Sequence, residues 1–229
     1  MVAKQHELVG RVEVLAVVQA VGRCGIRIGQ REDVGGENNA FTAEDTTAYF
    51  ETVPSHHLER LLWAEAERMS PLNVDEANFH SERKVVEEEF RQRVLANPYG
   101  RLFEAVAPNG YLQHPYKRPV IGSIEDLEAA SLDDVRAFHA TYYRPDNAVL
   151  IIAGKFEEAT ALKYVRSSFG RIPRPARTLP TTYTVEPPQD GERNVVLRRV
   201  GDVQMVAALY HLPPGSHEDY AAVDIAVAI

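Results

Sequence analysis

Residues 38–54 read NNAFTAEDTTAYFETVP. NAFT and TTAYFETV are rich in Thr, aromatic and β-branched residues. The polar AED between them is a turn signal. Two such runs around a short polar break predict a β-hairpin across residues 38–53. Pro54 cannot continue the ladder, and Ser55 behind it is placed to cap a helix over HHLERLLWAEAERM. Leu58, Leu61, Leu62 and Met69 then share one face.

Downstream the same reading continues. A long helix is expected from about residue 75 to 96 and a short one over PYGRLFEAVA (98–107). Residues 109–122, NGYLQHPYKRPVIG, are a loop by their Gly and Pro content. Ser123 with Asp126, and Ser131 with Asp134, resemble capping boxes that open two helices, the second ending near Tyr142. NAVLIIAG (147–154) reads as a buried strand and EEATALKYVRSSF (157–169) as a helix. Five prolines at 173, 175, 180, 187 and 188 mark a linker. NVVLRRV (194–200) and VQMVAALYH (203–211) read as strands, and HEDYAAVDIAVAI (217–229) begins a helix with no C-cap.

The chemistry concentrates in SERKVVEEEFRQ (81–92). On a helix at 100° per residue, Phe79, Val86, Phe90 and Val94 form an apolar stripe. Glu82 and Glu89, seven residues apart, fall about 20° from each other at its margin. Glu87 and Glu88 fall on the far side, where Lys84–Glu88 and Glu87–Arg91 are ordinary i,i+4 pairs. A carboxylate at the edge of a core needs a donor, a cation or a metal, because desolvation otherwise neutralises it. The plain reading for Glu82 and Glu89 is an arginine partner or a rim position; the sharper one is a metal ligand with a supporting carboxylate one repeat away.

Composition limits the classes of function. The chain has 229 residues, 45% apolar and 25% charged, as in a soluble globular protein. A net charge of −8 without Lys/Arg clusters argues against nucleic-acid binding. The single cysteine, Cys24, excludes an internal disulfide framework and a cysteine-based zinc site. No run of 18 apolar residues exists, so no membrane insertion is expected. VEVLAVVQAVG (12–22) is apolar but interrupted by Glu13, and does not read as a signal peptide. The cytoplasm and the periplasm both remain open as compartments for a soluble chain.

Four blocks in order, GGENNAFTAEDTTAYFETVP, SERKVVEEEF, HPYKRPVIG and YYRPDNAVLIIAG, resemble the pitrilysin/insulinase family of zinc metallopeptidases. The resemblance runs from Gly35 to the end of the sequence. It implies an α+β fold, an antiparallel sheet with helices packed on it, as the first half of a two-lobed subunit truncated at both ends. The implied divisions are an unmatched segment 1–34, a metallopeptidase-like α+β domain 35–170, a linker 171–190, and the beginning of a second similar domain 191–229. It also implies zinc as cofactor, a peptide or unfolded protein as substrate, and a homologous partner subunit as a further associate. The family's E-R-x-V-x-x-x-E pattern falls on Glu82 to Glu89, making Glu89 the implied metal ligand and Glu82 its orienting neighbour. The hairpin strand carrying Asn39, Ala40, Phe41 and Thr42 is implied to receive substrate as an added β-strand.

The other half of the implied site is missing. The family's inverted motif, H-x-x-E-H, places two histidines at i and i+4 and a general base between them on one helix. The eight histidines stand at 6, 56, 57, 80, 114, 139, 211 and 217, and no two have that spacing. Counting back from Glu89 reaches Leu8 and Val12 where the pair should be. No catalytic residue is intact, so hydrolysis by metal-activated water is expected of the lineage and inactivity of this chain. A non-catalytic peptide-binding or partner subunit is the alternative. Residues 1–34 are expected to be foreign text, as a reading-frame slip would produce. His56 and His57 are expected to be exposed, His114 to shape its loop, and His139 to be packed or superficial.

Overall fold

A computed structural model of the chain describes residues 11–18, 35–176, 178–181, 184–198, 200 and 204–228. Their elements in chain order are β1 (Arg11–Val18), β2 (Glu37–Thr42), β3 (Thr47–Pro54), α1 (Leu58–Arg68), α2 (Glu76–Phe90), α3 (Gly100–Gly110), α4 (Ile124–Ala129), α5 (Leu132–Tyr142), β4 (Ala148–Gly154), α6 (Glu158–Phe169) and α7 (Tyr220–Ala228). They fall into two compact units, one of residues up to 87 with 120–181, the other of residues 88–119 with 182–229.

The first unit holds an antiparallel sheet ordered β2-β3-β1-β4. The hairpin lies where the two β-prone runs and the turn between them put it, with Thr42 opposite Thr47 and Glu37 opposite Thr52. β1 is a correction, since residues 1–34 carry no expected strand. Arg11–Val18 pairs with β3 along one side and with β4 along the other. RVEVLAVV is rich in valine, as suits a strand, but no turn signal beside it marks it as one half of a hairpin. The remainder of the expected foreign segment, with His6 and Cys24, lies outside the described residues.

Alternation along the sheet decides where the core sits. Tyr49, Glu51 and Val53 are buried on β3, and Leu150 and Ile152 on β4 turn the same way. Val53, Leu58, Leu61, Leu62 and Ala161 pack with Leu150, Ile152, Tyr164, Val165 and Phe169, joining α1 and α6 to the sheet. A neighbouring cluster of Tyr49, Met69 and Tyr143 takes in Phe138, Tyr142 and Ile172. β4 is not the buried strand expected of NAVLIIAG. It is an edge strand with alternating burial, and Val149 and Ile151 on its other face are 60% and 46% exposed.

Helix starts follow local chemistry. Ser131 accepts the Asp134 N–H while Asp134 accepts the Ser131 N–H, a complete capping box with aspartate at the third position. Ser123 accepts the Asp126 N–H in the same way at the start of α4. Ser55, expected as the cap of α1, instead begins a tight 3-10 turn, Ser55–His57, and its side chain makes no capping bond. Its carbonyl accepts the Leu58 N–H.

The second unit contains the end of α2, α3, α7 and the long segment before α7. After Phe90 the helix widens, and the Ala96 N–H reaches back five residues to the Arg91 carbonyl at 2.8 Å. Gly100 lies hard against this turn, and a Cβ there would stand 2.3 Å from the Val94 carbonyl oxygen. The segments 194–198 and 204–211, expected as strands, carry no ladder among the described residues. Their apolar side chains suit a sheet, but a strand exists only where a neighbouring backbone pairs with it.

Candidate functional site

α2 carries the two glutamates singled out by their spacing. The apolar stripe is real: Phe90 and Val94 are buried, and Phe79 and Val86 are partly covered. Glu82, however, is exposed. It does not press against a core, because Phe90 is the one buried residue within α2. Glu87, assigned to the solvated side, is the better covered carboxylate, its side chain 14% exposed and 3.8 Å from Arg83. Arg83 also reaches the Glu128 carbonyl and the His80 ring.

Glu89 is half-buried, and its Oε1 lies 3.0 Å from Nη1 of Arg93, one turn further along. Beside it Glu88 takes Arg91 and Gln92 at 3.5 and 3.0 Å. Of the two partners open to Glu89 from its spacing, the cation it meets here is an arginine. Among the described residues no group of three or more His, Cys, Asp or Glu could hold a metal ion. Zinc takes three or four protein ligands, so a single carboxylate already engaged by a guanidinium does not fit such a centre.

The hairpin residues lie together on an outer strand. Among the described residues β2 is the sheet's edge, and Glu37 to Phe41 are all exposed. Phe41 is 55% exposed and tilts toward Phe50 with ring centroids 6.4 Å apart. The Asn39 side chain accepts the Ala40 N–H at 2.8 Å. An N–H given to a side chain in this way is directed away from β3, into the outward set of an edge strand.

Several groups that sequence reasoning did not single out are buried in the first unit. Arg68 donates to Glu65 at 3.0 Å and to Glu51 at 3.3 Å, and its guanidinium lies 3.9 Å from the Tyr49 ring centroid. His139 Nε2 donates to the Arg68 carbonyl at 2.8 Å while its ring stacks on Tyr143. Burial holds the His139 pKa below the ordinary histidine value, against that hydrogen bond. The Tyr143 and Tyr49 hydroxyls are hydrogen-bonded. These groups brace α1, α5 and β3; they form a buried framework and not an open site. The signal available was Glu51 on the inward face of β3, with Glu65 and Arg68 three residues apart on α1.

The remaining histidines serve local structure. His114 Nδ1 accepts the Tyr116 N–H at 3.1 Å, shaping its loop as expected. His56 is exposed and His57 half-buried beside it, the rings 4.1 Å apart. Desolvation first, then the neighbouring His56 and Arg60, lowers the His57 pKa.

Comparison with known proteins agrees with this architecture. The family model described as Insulinase (Peptidase family M16) matches residues 29–123, and that of the Peptidase M16 inactive domain matches residues 129–229. The chain is 34% identical over 192 residues to the zinc protease PqqE of Helicobacter pylori, covering 83% of this chain and 43% of that protein. An uncharacterized zinc protease of Mycobacterium leprae is 34% identical over 151 residues, 65% of this chain and 33% of the relative. Among solved structures, a protease from Helicobacter pylori superposes with a TM-score of 0.71 at 27% identity, covering 78% of this chain and 49% of that one. The first half of the periplasmic protease PqqL from Escherichia coli gives a TM-score of 0.61 at 18% identity, over 76% and 44% of the two chains. The fold is thus that of an α+β half of a two-lobed peptidase. The chain belongs to the pitrilysin/insulinase family of zinc metallopeptidases. It spans less than half the length of the curated relatives it matches. Among the described residues no helix is long and apolar enough to cross a membrane.

Proposed function

We propose that this chain binds extended peptides as a member of a zinc-protease lineage and does not itself hydrolyse them. The observation that carries this reading is the exposed edge strand β2, with Asn39, Ala40, Phe41 and Thr42 in its outer positions. An edge strand offers backbone N–H and C=O groups to any extended segment, and an exposed aromatic ring adds side-chain preference. The bound class is a peptide or an unfolded protein segment, entering as a fifth strand beside β2.

Glu89 is the position of the family's glutamate ligand, with Glu82 its orienting neighbour. Zinc there would need the histidine pair that this sequence does not spell, and Arg93 stands against Glu89. No catalytic step is therefore assigned to these residues. The proposed divisions are a peptide-binding domain 35–170, a linker 171–190 and the start of a second domain at 191–229. Service as a partner to a homologous, catalytically complete subunit follows the same logic, since an edge strand invites association.

The test is one sample measured two ways. Zinc content of the purified chain is determined beside binding and cleavage of a fluorescent unstructured peptide, with and without chelator. Saturable binding that chelator leaves unchanged, without cleavage and with zinc well below one per chain, supports the reading. Chelator-sensitive cleavage, or absence of peptide binding, overturns it.

A further inference from the structure

The loop after α3 is held by a carboxylate from a distant part of the chain. Glu186 accepts three consecutive backbone N–H groups, from Leu112 at 2.6 Å, Gln113 at 2.9 Å and His114 at 2.8 Å. Three successive amides turned to one point form an anion-binding concavity, and here a side chain of the same chain fills it. Residues on either side of this contact repeat the attachment. The His211 ring stacks on Tyr111 with centroids 4.8 Å apart, and its Nε2 donates to the Gly110 carbonyl at 2.7 Å. Arg193 donates to the Asn109 carbonyl at 3.3 Å. At Gly110 a Cβ would come within 2.2 Å of the Leu209 side chain, so the two segments are in close contact there as well.

We propose that Glu186, Arg193, Leu209 and His211 strap the 109–117 loop and set its shape, with Glu186 as the latch. The loop's own contacts are local: the Tyr116 N–H bonds His114, the Lys117 N–H bonds the His114 carbonyl, Lys117 Nζ bonds the Leu112 carbonyl, and the Tyr111, His114 and Tyr116 rings pack together. The acceptor that gathers the amides of residues 112–114 is Glu186. The Glu186 pKa agrees with the geometry. Desolvation pushes it up, but the amides of His114, Leu112 and Gln113, and then His211, outweigh that and hold it at about 2. The latch is therefore charged throughout the neutral range. A partner that engages Glu186 or His211 acts on the HPYK loop without touching it, and the reverse also holds. This inference goes beyond peptide binding at β2 and does not depend on it.

Amide hydrogen exchange of the full chain tests the strap, comparing the unaltered protein with Glu186→Gln, His211→Ala and the neighbouring control Glu192→Gln. In the unaltered chain the amides of Leu112, Gln113 and His114 exchange well below the rate of an unstructured peptide of the same sequence. Glu186→Gln speeds exchange at these three by about tenfold or more, the size expected for bonds to a charged acceptor. His211→Ala loosens residues 110–111, Glu192→Gln changes nothing, and the amides of α1 and α5 keep their rates. Unstructured exchange rates at 112–114 in the unaltered chain overturn the proposal, whatever the variants do. So do equal rates in the unaltered chain and Glu186→Gln.

Discussion

Nη1 of Arg93 lies 3.0 Å from Oε1 of Glu89, one helical turn away. On the proposed assignment of Glu89, a carboxylate that would face a divalent cation is here met by a monovalent one. The pair is partly exposed, with Arg93 65% open to solvent, so it stabilises the helix little. Its consequence is chemical. Glu89 has a partner that needs no histidines, and the helix can persist without a metal.

The edge-strand reading makes Ala40→Pro informative. Proline is tolerated on an edge strand where the N–H faces outward, and it removes that donor. Peptide affinity is expected to fall by about tenfold, the upper value of one lost hydrogen bond, with the circular dichroism spectrum retained. Phe41→Ala should weaken binding as well, through lost side-chain contact. Fluorescence anisotropy with a labelled peptide measures both.

Arg68→Met tests the buried framework. Removing the guanidinium leaves the Glu51 and Glu65 carboxylates without their shared cation in the core of the first unit. A loss of about 3–5 kcal/mol is expected, as for breaking a buried pair on one side. Urea denaturation followed by tryptophan fluorescence reads it, because Trp63 lies on α1. A change below 1 kcal/mol, on the order of a surface substitution, would contradict the bracing role.

His139 gives the first unit a pH dependence of definite sign. Its pKa is lowered in the folded state, so the unfolded chain takes up the proton first as pH falls. The contribution is fully present above about 6.5, the ordinary histidine value. It is lost as pH falls from there through the depressed folded value. Unfolding midpoints measured between pH 8 and 5 should decline for the unaltered chain, and His139→Gln should flatten that decline.

At Gly100 the requirement is close approach. Gly100→Ala drives a methyl group into the Arg93 and Val94 carbonyls, both backbone atoms that cannot rotate aside. A cost of about 1–3 kcal/mol is expected, the usual range for an overpacked position. Thermal unfolding of the variant, with Gly215→Ala at an open position as a backbone comparison, checks it.

What the amino acids spelled out was whatever depends on near neighbours. The hairpin followed from two β-prone runs around a polar turn, the Ser131–Asp134 box from a spacing of three, and the apolar stripe of α2 from its period. What they did not spell out depends on partners remote in sequence. β1 has one ladder to β4, 130 or more residues later, and no turn beside it to announce the pairing. Glu82 sat at the margin of a stripe on a helical wheel, yet a wheel does not say how much of a helix is covered. The 194–211 run has strand composition, and composition cannot supply a neighbour. Glu186 gave no local sign of its role at all, since the amides it binds lie more than seventy residues earlier.

Among the described residues β3 and β4 share no ladder; β1 joins them. Arg11–Val18 pairs with Thr47–Pro54, made soon after it, but Val18 meets Ala148 only once most of the first unit has been made. Closing so distant a pairing is slow, and until it happens the far side of β1 lies open. During synthesis β1 and the nascent hairpin are therefore expected to wait, half-sheathed, for a strand that has not yet left the ribosome, which is the interval in which a chaperone would matter most.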